Sequence, residues 1–249
     1  MSIAGVVVVH EPMPELARCL TALSPQVDEL VVISNLGGDL AVPEGARLIR
    51  NNQPVGYAAN ANRGIAETSG EFVVVCNPDT VAEPGAVAVL LGLAELKPRL
   101  GLAGPELRHE DGSVNPSRRR FPTVSGTLVR RTPLRRFLRG TQRAHYGLDE
   151  QPTAPVQADW LLGAFLFLRR EMLDELGGFD EGYRLYGEDI DLAYRAAKAG
   201  WERWYVPGAK AVHAHQAVTD QRLLTRRTLW HWRGILRFVR KHPERLKAL

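Results

Sequence analysis

The first hundred residues alternate between short apolar runs and longer segments with helical spacing, and this alternation restricts the fold more than any other feature of the sequence. Ile3–Val9 is a continuous apolar run, which is typical of a strand that is buried on both faces of a sheet. Further strands are predicted at 29–33, 46–50, 71–76 and 100–103, with helices at 14–23, 57–68 and 84–96. The sequence therefore predicts a three-layer α/β fold, with a mostly parallel central sheet and helices on both faces.

The alternation weakens after residue 107 and returns near residue 160. Residues 108–158 are rich in Arg, Pro, Gly and Thr, and a stretch of that length without clear elements predicts a flexible functional loop. Beyond it we predict an ordered apolar segment at 160–168, strands at 204–206 and 211–213, helices at 170–176 and 189–199, and a basic helix at 223–239. We therefore expect one domain at 1–220 and a separate helical segment at 221–249.

The bulk composition is that of an ordinary globular protein. Hydrophobic residues make up 45% and charged residues 24% of the 249 residues, which is enough for a large core. No apolar run approaches the roughly 18–20 residues that span a bilayer. The N-terminus resembles a first strand rather than a signal peptide, and Cys19 and Cys76 lack metal or redox spacing. We expect a cytoplasmic protein with reduced, structural cysteines.

The net charge of +4 is unevenly placed, with arginines concentrated in 117–143 and 222–247. These clusters are compatible with a solvated basic face, with a nucleic-acid-binding surface or with contact to an anionic membrane. Because the chain has no recognisable nucleic-acid-binding motif or aromatic platform, we predict no nucleic-acid partner.

Polar residues follow four of the predicted strands. They are His10 and Glu11 after the first, Ser34 and Asn35 after the second, Asn77 and Asp79 after the fourth, and His213 and His215 after the last. In open α/β sheets, ligands bind outside the carboxyl ends of the strands. These positions are therefore candidates for one site at one edge of the sheet.

The triplet Asn77-Pro78-Asp79 is the most informative of these strand ends. Pro78 fixes the backbone, so Asp79 is presented at the strand tip with little freedom. A single carboxylate there suits a divalent cation that also holds a diphosphate. The alternative is that the aspartate only initiates a turn.

Three carboxylates, Glu188, Asp189 and Asp191, crowd the start of one predicted helix. Acidic residues at a helix N-terminus offset the macrodipole, each by about 0.3–1 kcal/mol. The alternative is that one of them is a general base or a metal ligand.

Several stretches together resemble family 2 glycosyltransferases with the GT-A fold, in particular the bacterial rhamnosyltransferase-like branch. They are VVVVHEP (6–12), GYAANANRG (56–64), VVVCNPDT (73–80), DGSVNPSRRRFPT (111–123), the run WLLGAFLFL through GGFDE and GEDIDL to GW (160–201), and YVPGAKAVHAH (205–215). The resemblance implies an inverting enzyme of cell-envelope glycan synthesis. It implies a nucleotide-diphosphate sugar donor, with dTDP-L-rhamnose as the best guess, a lipid-linked or polysaccharide acceptor, and Mg²⁺ or Mn²⁺ as cofactor.

The resemblance also implies roles for individual residues. Asp79 and His213 match metal and diphosphate ligands, and Asp189 matches the catalytic base, with Glu188 beside it. Nucleotide binding is expected from Val9, His10, Glu11, Asn35, Asn62 and Asn77, and contacts to donor sugar or acceptor from Trp160, Gly163 and Tyr186. Residues 1–107 would then form the nucleotide-binding half and 159–220 the acceptor half.

Two positions depart from the family pattern. Ser34 stands where relatives usually carry a base-contacting aspartate, and Pro54 stands where they often carry asparagine. Asp39 is a possible substitute for the missing carboxylate, although its spacing differs. Two other functions stay open at this level: a nucleotidyltransferase, and a non-catalytic protein that binds a sugar nucleotide or a polyanion.

The basic helix predicted at 223–239 interleaves arginines with Trp, Leu and Phe. Such a helix can lie in a membrane interface, so we predict weak, salt-sensitive contact with anionic membranes. The alternative is a helix packed on the domain with its arginines in water.

Overall fold

The computed structural model describes residues 1–121, 150–214 and 226–246. The strands are Ile3–Val9 (β1), Glu29–Ser34 (β2), Arg47–Arg50 (β3), Phe72–Cys76 (β4), Thr80–Ala82 (β5), Leu100–Arg108 (β6), Val114–Asn115 (β7), Arg118–Arg119 (β8), Val156–Gln157 (β9), Trp160–Leu161 (β10), Phe165–Arg169 (β11) and Glu202–His213 (β12). The α-helices are Glu15–Leu23 (α1), Tyr57–Ala66 (α2), Ala86–Leu96 (α3), Arg170–Leu176 (α4), Glu188–Lys198 (α5) and Arg226–Lys241 (α6).

The main sheet has the strand order β3-β2-β1-β4-β11-β6-β12-β5. Strands β3, β2, β1 and β4 are parallel neighbours, and so are β6 and β12, whereas β11 and β5 run antiparallel to the strands beside them. The prediction of a mostly parallel sheet is therefore confirmed, with antiparallel strands inserted in the half that follows β4.

Alternate residues of β1 serve two separate cores. Val7 and Val9 pack with α1 and α3 on one face, and Val6 and Val8 pack with α2, α4 and α5 on the other. The contact with α2 is close, since a Cβ atom on Gly64 would overlap the side chain of Val6. This arrangement confirms the three-layer prediction.

Two apolar segments have a structure that the sequence pattern did not resolve. The run at 160–168 forms two strands, because the chain turns at 162–164 and sends β10 to β8 and β11 to β4. The two short strands predicted at 204–206 and 211–213 are one strand, β12, with an irregular register between Val206 and Lys210. Periodicity alone separates neither case, because both sides of a turn or bulge are equally apolar.

The segment predicted as an irregular loop, 108–158, contains the short strands β7, β8 and β9 in the parts that the structure describes. Residues 122–149 lie outside the described residues. The predicted flexibility of this segment therefore stays a prediction.

The two cysteines meet in the core, although they are far apart in sequence. Their sulfur atoms lie 4.0 Å apart, and both side chains are buried, free thiols. Both sulfurs also contact the carbonyl oxygen of Asn77, so they pack beneath the turn that presents Asp79.

Helix α6 is described over Arg226–Lys241, ends two residues after the predicted helix at 223–239, and packs on the domain. Residues 223–225 of the predicted helix lie outside the described residues. Phe238 is buried against Tyr183 and Tyr194, whereas Leu236 on the opposite side is half exposed. Among the described residues, none of the helices is both long and apolar enough to cross a membrane.

Candidate functional site

The site lies at the edge where β1, β2 and β4 end. Strand β4 ends at Cys76, and the amide of the next residue, Asn77, donates a hydrogen bond of 2.9 Å to the carbonyl oxygen of Ala164. The turn at 162–164 in turn contacts the first residues of α5. The backbone thus connects the strand tip that carries Asp79 with the helix that carries Asp189.

Asp79 and His213 form the first part of the site. Residues Thr80 and His213 are partners in the antiparallel pair of β5 and β12, and this register places the carboxylate beside the imidazole. His213 Nε2 lies 3.4 Å from Asp79 Oδ1, and both side chains are mostly buried. His213 Nδ1 lies 3.4 Å from Nδ2 of Asn115, which orients the ring.

This pair offers one oxygen and one nitrogen ligand to a divalent cation. Among the described residues, no group of three His, Cys, Asp or Glu side chains is placed to hold a metal. The pair therefore fits a cation that is shared with substrate oxygens better than a closed structural site. His215, the other histidine of the sequence motif, lies outside the described residues.

Asp189 forms the second part of the site, at the start of α5. Its Oδ2 accepts a hydrogen bond of 3.0 Å from the amide of Gly163, and its Oδ1 accepts one of 2.8 Å from its neighbour Ile190. Burial raises the pKa of Asp189, and the two amides and the charge of Arg119 partly oppose this rise. The carboxylate is therefore fixed in direction and more basic than an ordinary aspartate.

The chain enters α5 through a reversed turn. Gly187 has φ +101°, and Tyr186 has φ +70°, the only positive value among the described non-glycine residues. A left-handed conformation is unfavourable for a residue of this size. Tyr186 is therefore held in place by its surroundings, among them His231 of α6, whose ring centroid lies 5.4 Å from its own.

Glu188 is buried beside Asp189. One of its carboxylate oxygens, Oε2, has no hydrogen-bond partner in the described part of the chain. Burial, and next the charge of Asp189, raise the pKa of Glu188 well above its usual range. The two acids consequently hold a proton between them at a higher pH than two exposed carboxyls would.

Five of the six predicted nucleotide-binding residues lie at the ends of β1, β2 and β4, whereas Asn62 lies in α2. Val9 is buried in β1, and the next residues, His10 and Glu11, are exposed. The side-chain amide of Asn35 donates to His10 Nδ1 over 2.7 Å. The same amide donates to the Val55 carbonyl oxygen and accepts from the Val55 amide. Asn35 is thus a buried support for the loop at 51–55.

Sequence reasoning missed two other members of this amide network. Asn51 donates to Asn35 over 3.0 Å and to Asn60 over 2.6 Å, and it accepts from Arg63. Their signal was a run of asparagines before and inside α2. The hydroxyl of Ser34 donates to the Gly38 carbonyl rather than extending the network.

Asp39 and Asn62, two residues that the sequence suggested for nucleotide binding, make contacts of another kind. Asp39, the possible substitute for the missing aspartate, is exposed and pairs with Arg50. Asn62 uses both ends of its amide on the backbone of Phe179, at 2.8 Å each, and so anchors α2 to the GGFDE loop. We therefore leave Asn62 out of the nucleotide site that we propose below.

The predicted donor and acceptor floor surrounds Asp189. Gly163 lies so close that a Cβ atom there would be 3.4 Å from the Asp189 carboxylate. Trp160 is buried, donates to the Arg120 carbonyl oxygen over 2.9 Å and lies under the guanidinium of Arg119. Trp160 thus supports the floor from beneath.

Tyr57 and Arg119 also belong to this site, and no sequence motif assigned them a role. The Tyr57 hydroxyl reaches the Gly163 carbonyl oxygen at 3.5 Å, and burial together with the charges of Glu188 and other nearby acids raises its pKa. Tyr57 therefore stays protonated and can act as a hydrogen-bond donor. Its position as the first residue of α2, directly after Gly56, was the signal.

The raised pKa values predict a pH-dependent effect on stability. An acid whose pKa is higher in the folded protein than in the unfolded chain lowers stability as pH rises through that interval. Glu188→Gln should therefore stabilise the protein at neutral pH, by on the order of 1 kcal/mol per unit of pKa shift, and the gain should vanish below about pH 4. Urea unfolding at several pH values measures it.

The exposed acid Glu95 of α3 provides the control. Glu95→Gln should leave stability unchanged across the same pH range. A Glu188→Gln variant that is less stable than the native protein at neutral pH would show that the native carboxylate is favourably bound and ionised.

Comparison with solved structures identifies the architecture. The structure aligns with GalNAc-T7 in complex with UDP, GalNAc and Mn²⁺ at a TM-score of 0.68 and 16% identity, covering 97% of this chain and 48% of that one. It aligns with the mannosyltransferase PcManGT of Pyrobaculum calidifontis, in complex with GDP-Man and Mn²⁺, at 0.61 and 17%, covering 96% and 64%. The chain thus spans about half and just under two thirds of these proteins, and it shares the GT-A fold with them.

Sequence comparison gives closer similarity. The chain is 32% identical to the N-acetylglucosaminyl-diphospho-decaprenol L-rhamnosyltransferase of Mycobacterium tuberculosis, over 94% of this chain and 87% of that protein. It is 27% identical to the rhamnosyltransferase WbbL of Escherichia coli, over 76% and 68%. The family model described as "Glycosyltransferase like family 2" matches residues 39–233. On this evidence the chain belongs to the family 2 glycosyltransferases.

Proposed function

We propose that the protein is an inverting glycosyltransferase that moves a sugar from a nucleotide-diphosphate donor to a hydroxyl group of an acceptor. The observation that carries this proposal is the placement of Asp79 with His213 and of Asp189 with Gly163 on two sides of one backbone connection, from Asn77 to Ala164. One pair suits a cation and a diphosphate, and the other presents an oriented base.

The first pair would hold Mg²⁺ or Mn²⁺. Its carboxylate oxygen and imidazole nitrogen are suitable donors, and the absence of a third such ligand among the described residues leaves coordination positions for diphosphate oxygens. The cation would take up the negative charge that builds on the departing diphosphate. Both solved structures compared above contain Mn²⁺, which supports this assignment.

The second pair would act on the acceptor. Asp189 would remove the proton from the acceptor hydroxyl as this group attacks the donor sugar, and the amides of Gly163 and Ile190 keep the carboxylate in direction. A single displacement of this kind inverts the configuration at the sugar carbon. The buried Glu188 raises the basicity of the pair, while the protonated Tyr57 is a donor for a sugar oxygen.

Donor and acceptor follow from the relatives. Because the relatives named above are rhamnosyltransferases, we propose L-rhamnose as the sugar, with dTDP-L-rhamnose as donor and cell-envelope glycan synthesis as the setting. The acceptor class is a lipid-diphosphate-linked sugar or a growing polysaccharide. The nucleotide would lie over Val9, His10 and Glu11, near Asn35 and Asn77, without a carboxylate at Ser34.

A non-catalytic sugar-nucleotide binder fits the site less well. Such a protein gains nothing from keeping Glu188 buried next to a second acid, with one oxygen that lacks a hydrogen-bond partner among the described residues, since both groups lower the stability of the fold. The nucleotidyltransferase reading also leaves Asp189 without a task.

The base assignment predicts a selective loss of turnover. Asp189→Asn keeps shape and removes basicity, so transfer should fall at least about a hundredfold while donor affinity stays nearly unchanged. Transfer is measured by release of nucleoside diphosphate in the presence of acceptor, and donor affinity by calorimetry.

Asp174→Asn, on the exposed side of α4, is the control and should retain full activity. Near-normal turnover in Asp189→Asn would remove Asp189 as the base.

The cation assignment predicts that donor affinity and metal dependence are lost together. Asp79→Ala should weaken both, because the carboxylate acts on the donor through the cation, and His213→Ala should do the same more mildly. Calorimetric titration of a nucleoside diphosphate with and without Mn²⁺ measures the effect. Asp111→Ala, an exposed acid, should change neither. Native donor affinity that is indifferent to EDTA would contradict the metal site.

The structure narrows the surface that we propose for peripheral membrane contact. Arg237 and Lys241 of α6, which were predicted as part of the membrane face, pair instead with Asp180. The side that faces away from the domain carries Arg233, Leu236 and Arg240 at spacings of three and four residues. We call these three residues the outer stripe.

The outer stripe predicts salt-sensitive binding to anionic vesicles. Each of its arginines contributes about 1 kcal/mol near an anionic leaflet. Flotation with phosphatidylcholine vesicles that contain phosphatidylglycerol should show binding at low salt, and Arg233→Glu with Arg240→Glu should abolish it.

Arg18→Glu with Arg50→Glu, two exposed arginines on α1 and β3, is the charge-matched control. Equal binding to neutral vesicles, or an equal loss in the control, would exclude the outer stripe.

A further inference from the structure

A fully buried carboxylate, Asp191, ties the C-terminal helix to the helix that carries the proposed base. Its oxygens accept hydrogen bonds from Arg195 Nε at 2.7 Å, from Lys241 Nζ at 2.9 Å, from His242 Nε2 at 2.9 Å and from the Tyr183 hydroxyl at 3.4 Å. An acid that only offsets the helix macrodipole needs none of these four hydrogen bonds. The carboxylate is therefore the centre of a junction, and we call Asp191, Lys241 and His242 the clasp.

The clasp joins parts of the chain that are distant in sequence. Asp191 lies two residues after Asp189 on α5, whereas Lys241 and His242 lie about 50 residues later, at the end of α6. Burial opposes ionisation of Asp191, yet the hydrogen bonds from His242, Arg195 and Lys241 hold its pKa below the usual range. The negative charge is thus bound in place, and loss of one partner leaves it under-compensated.

Helix α6 also contacts the turn that leads into Asp189. Gly234 packs against the carbonyl oxygen of Tyr186, where a Cβ atom would overlap that oxygen. The ring of His231 lies over Tyr186, and Arg237 and Lys241 pair with Asp180 at the start of the same loop. The unfavourable backbone of Tyr186 is therefore supported from the side of α6.

The other side of this loop is fixed by the N-terminal end of α2. The amide of Tyr57 donates to the carbonyl oxygen of Arg184 over 2.9 Å, and Gly56 allows the close approach. The loop at 180–187 is consequently held between α2 and α6. Its last residue, Gly187, is the N-cap of α5 and directly precedes the acid pair.

We propose that Lys241 and His242 are positioning residues for the transfer reaction, acting through Asp191 on the Tyr186–Gly187 turn and on the direction of Asp189. This inference rests on the glycosyltransferase function proposed above. The donor-side groups lie elsewhere, with Asp79 in the turn before β5 and His213 at the end of β12, whereas the hydrogen bonds of the clasp go to other side chains. Loss of the clasp should therefore impair transfer to the acceptor while donor binding persists.

Substitution of His242 tests the proposal. His242→Leu keeps volume and removes the donor, and a small displacement of Asp189 should lower kcat for transfer about 10- to 100-fold. Affinity for the nucleoside diphosphate with Mn²⁺ should stay within about twofold. His242→Gln restores a donor and should recover most of the activity, which a merely space-filling role would not explain.

Lys198→Ala is the matched control. It removes the exposed ion pair of 2.9 Å between Lys198 and Glu244, which tethers the same C-terminal segment without touching Asp191. This variant should transfer normally. Gly234→Ala displaces Tyr186 without altering any charge, so it should reproduce the kinetic signature of His242→Leu. It therefore tests the proposal independently if His242→Leu folds poorly.

Hydrogen exchange supplies a readout that needs no turnover. In His242→Leu, exchange should accelerate in peptides that cover 183–190 and stay unchanged in β5. Unchanged kcat and exchange in His242→Leu and Gly234→Ala, or equal losses of donor affinity and turnover, would overturn the proposal. Absence of transfer by the native chain, with the exchange difference intact, would instead reject the proposed function alone.

Discussion

The hydrogen bond from the Gly163 amide to the Asp189 carboxylate is the contact on which the site depends. It joins the turn between β10 and β11 to the first turn of α5, and the next residue in the turn, Ala164, accepts a hydrogen bond from the amide of Asn77. A parallel sheet brings strand ends to one edge, but it does not by itself align a base with a cation site on another strand. This short backbone connection does so, because each link is one or two residues long.

The geometry of this region lowers the stability of the folded protein. Glu188 is removed from water and Asp189 is partly buried beside it, one oxygen of Glu188 lacks a partner among the described residues, and Tyr186 adopts a left-handed backbone. Such costs are tolerated where the surrounding structure over-determines the geometry. Here the surroundings are the four-partner junction at Asp191 and the amide network of Asn35, Asn51 and Asn60, which brace the two sides of the site.

The sequence allowed much of the fold to be predicted, because buried parallel strands such as Ile3–Val9 produce uninterrupted β-branched runs. It predicted two strands within β12 and did not divide the apolar segment at 160–168, since a bulge and a turn between apolar residues leave no trace in periodicity. Asp79 and Asp189 were assigned by motif, and the contacts of each side chain support the role that we propose for it. The asparagine network, Arg119 and the clasp depend on contacts between distant segments, which no local pattern records.

Asp191 shows the difference most clearly. The sequence places it among three acids at a helix start, where an acid can offset the macrodipole, whereas the structure buries its side chain completely. Its partner Lys241 is the last residue of α6, a helix whose basic residues suggested a membrane surface, and its partner His242 directly follows that helix. The structure divides α6 between a packed face, which leads to these two residues, and the outer stripe.

The central claim is that one oriented base and one cation-bound diphosphate perform a single displacement. The most direct measurement is the anomeric configuration of the first-formed product, followed by NMR with the sugar nucleotide and acceptor that support turnover. We predict that the product has the configuration opposite to that of the donor. A product that retains the donor configuration would require a covalent intermediate or a front-side mechanism, and would contradict the assignment of Asp189 as a general base.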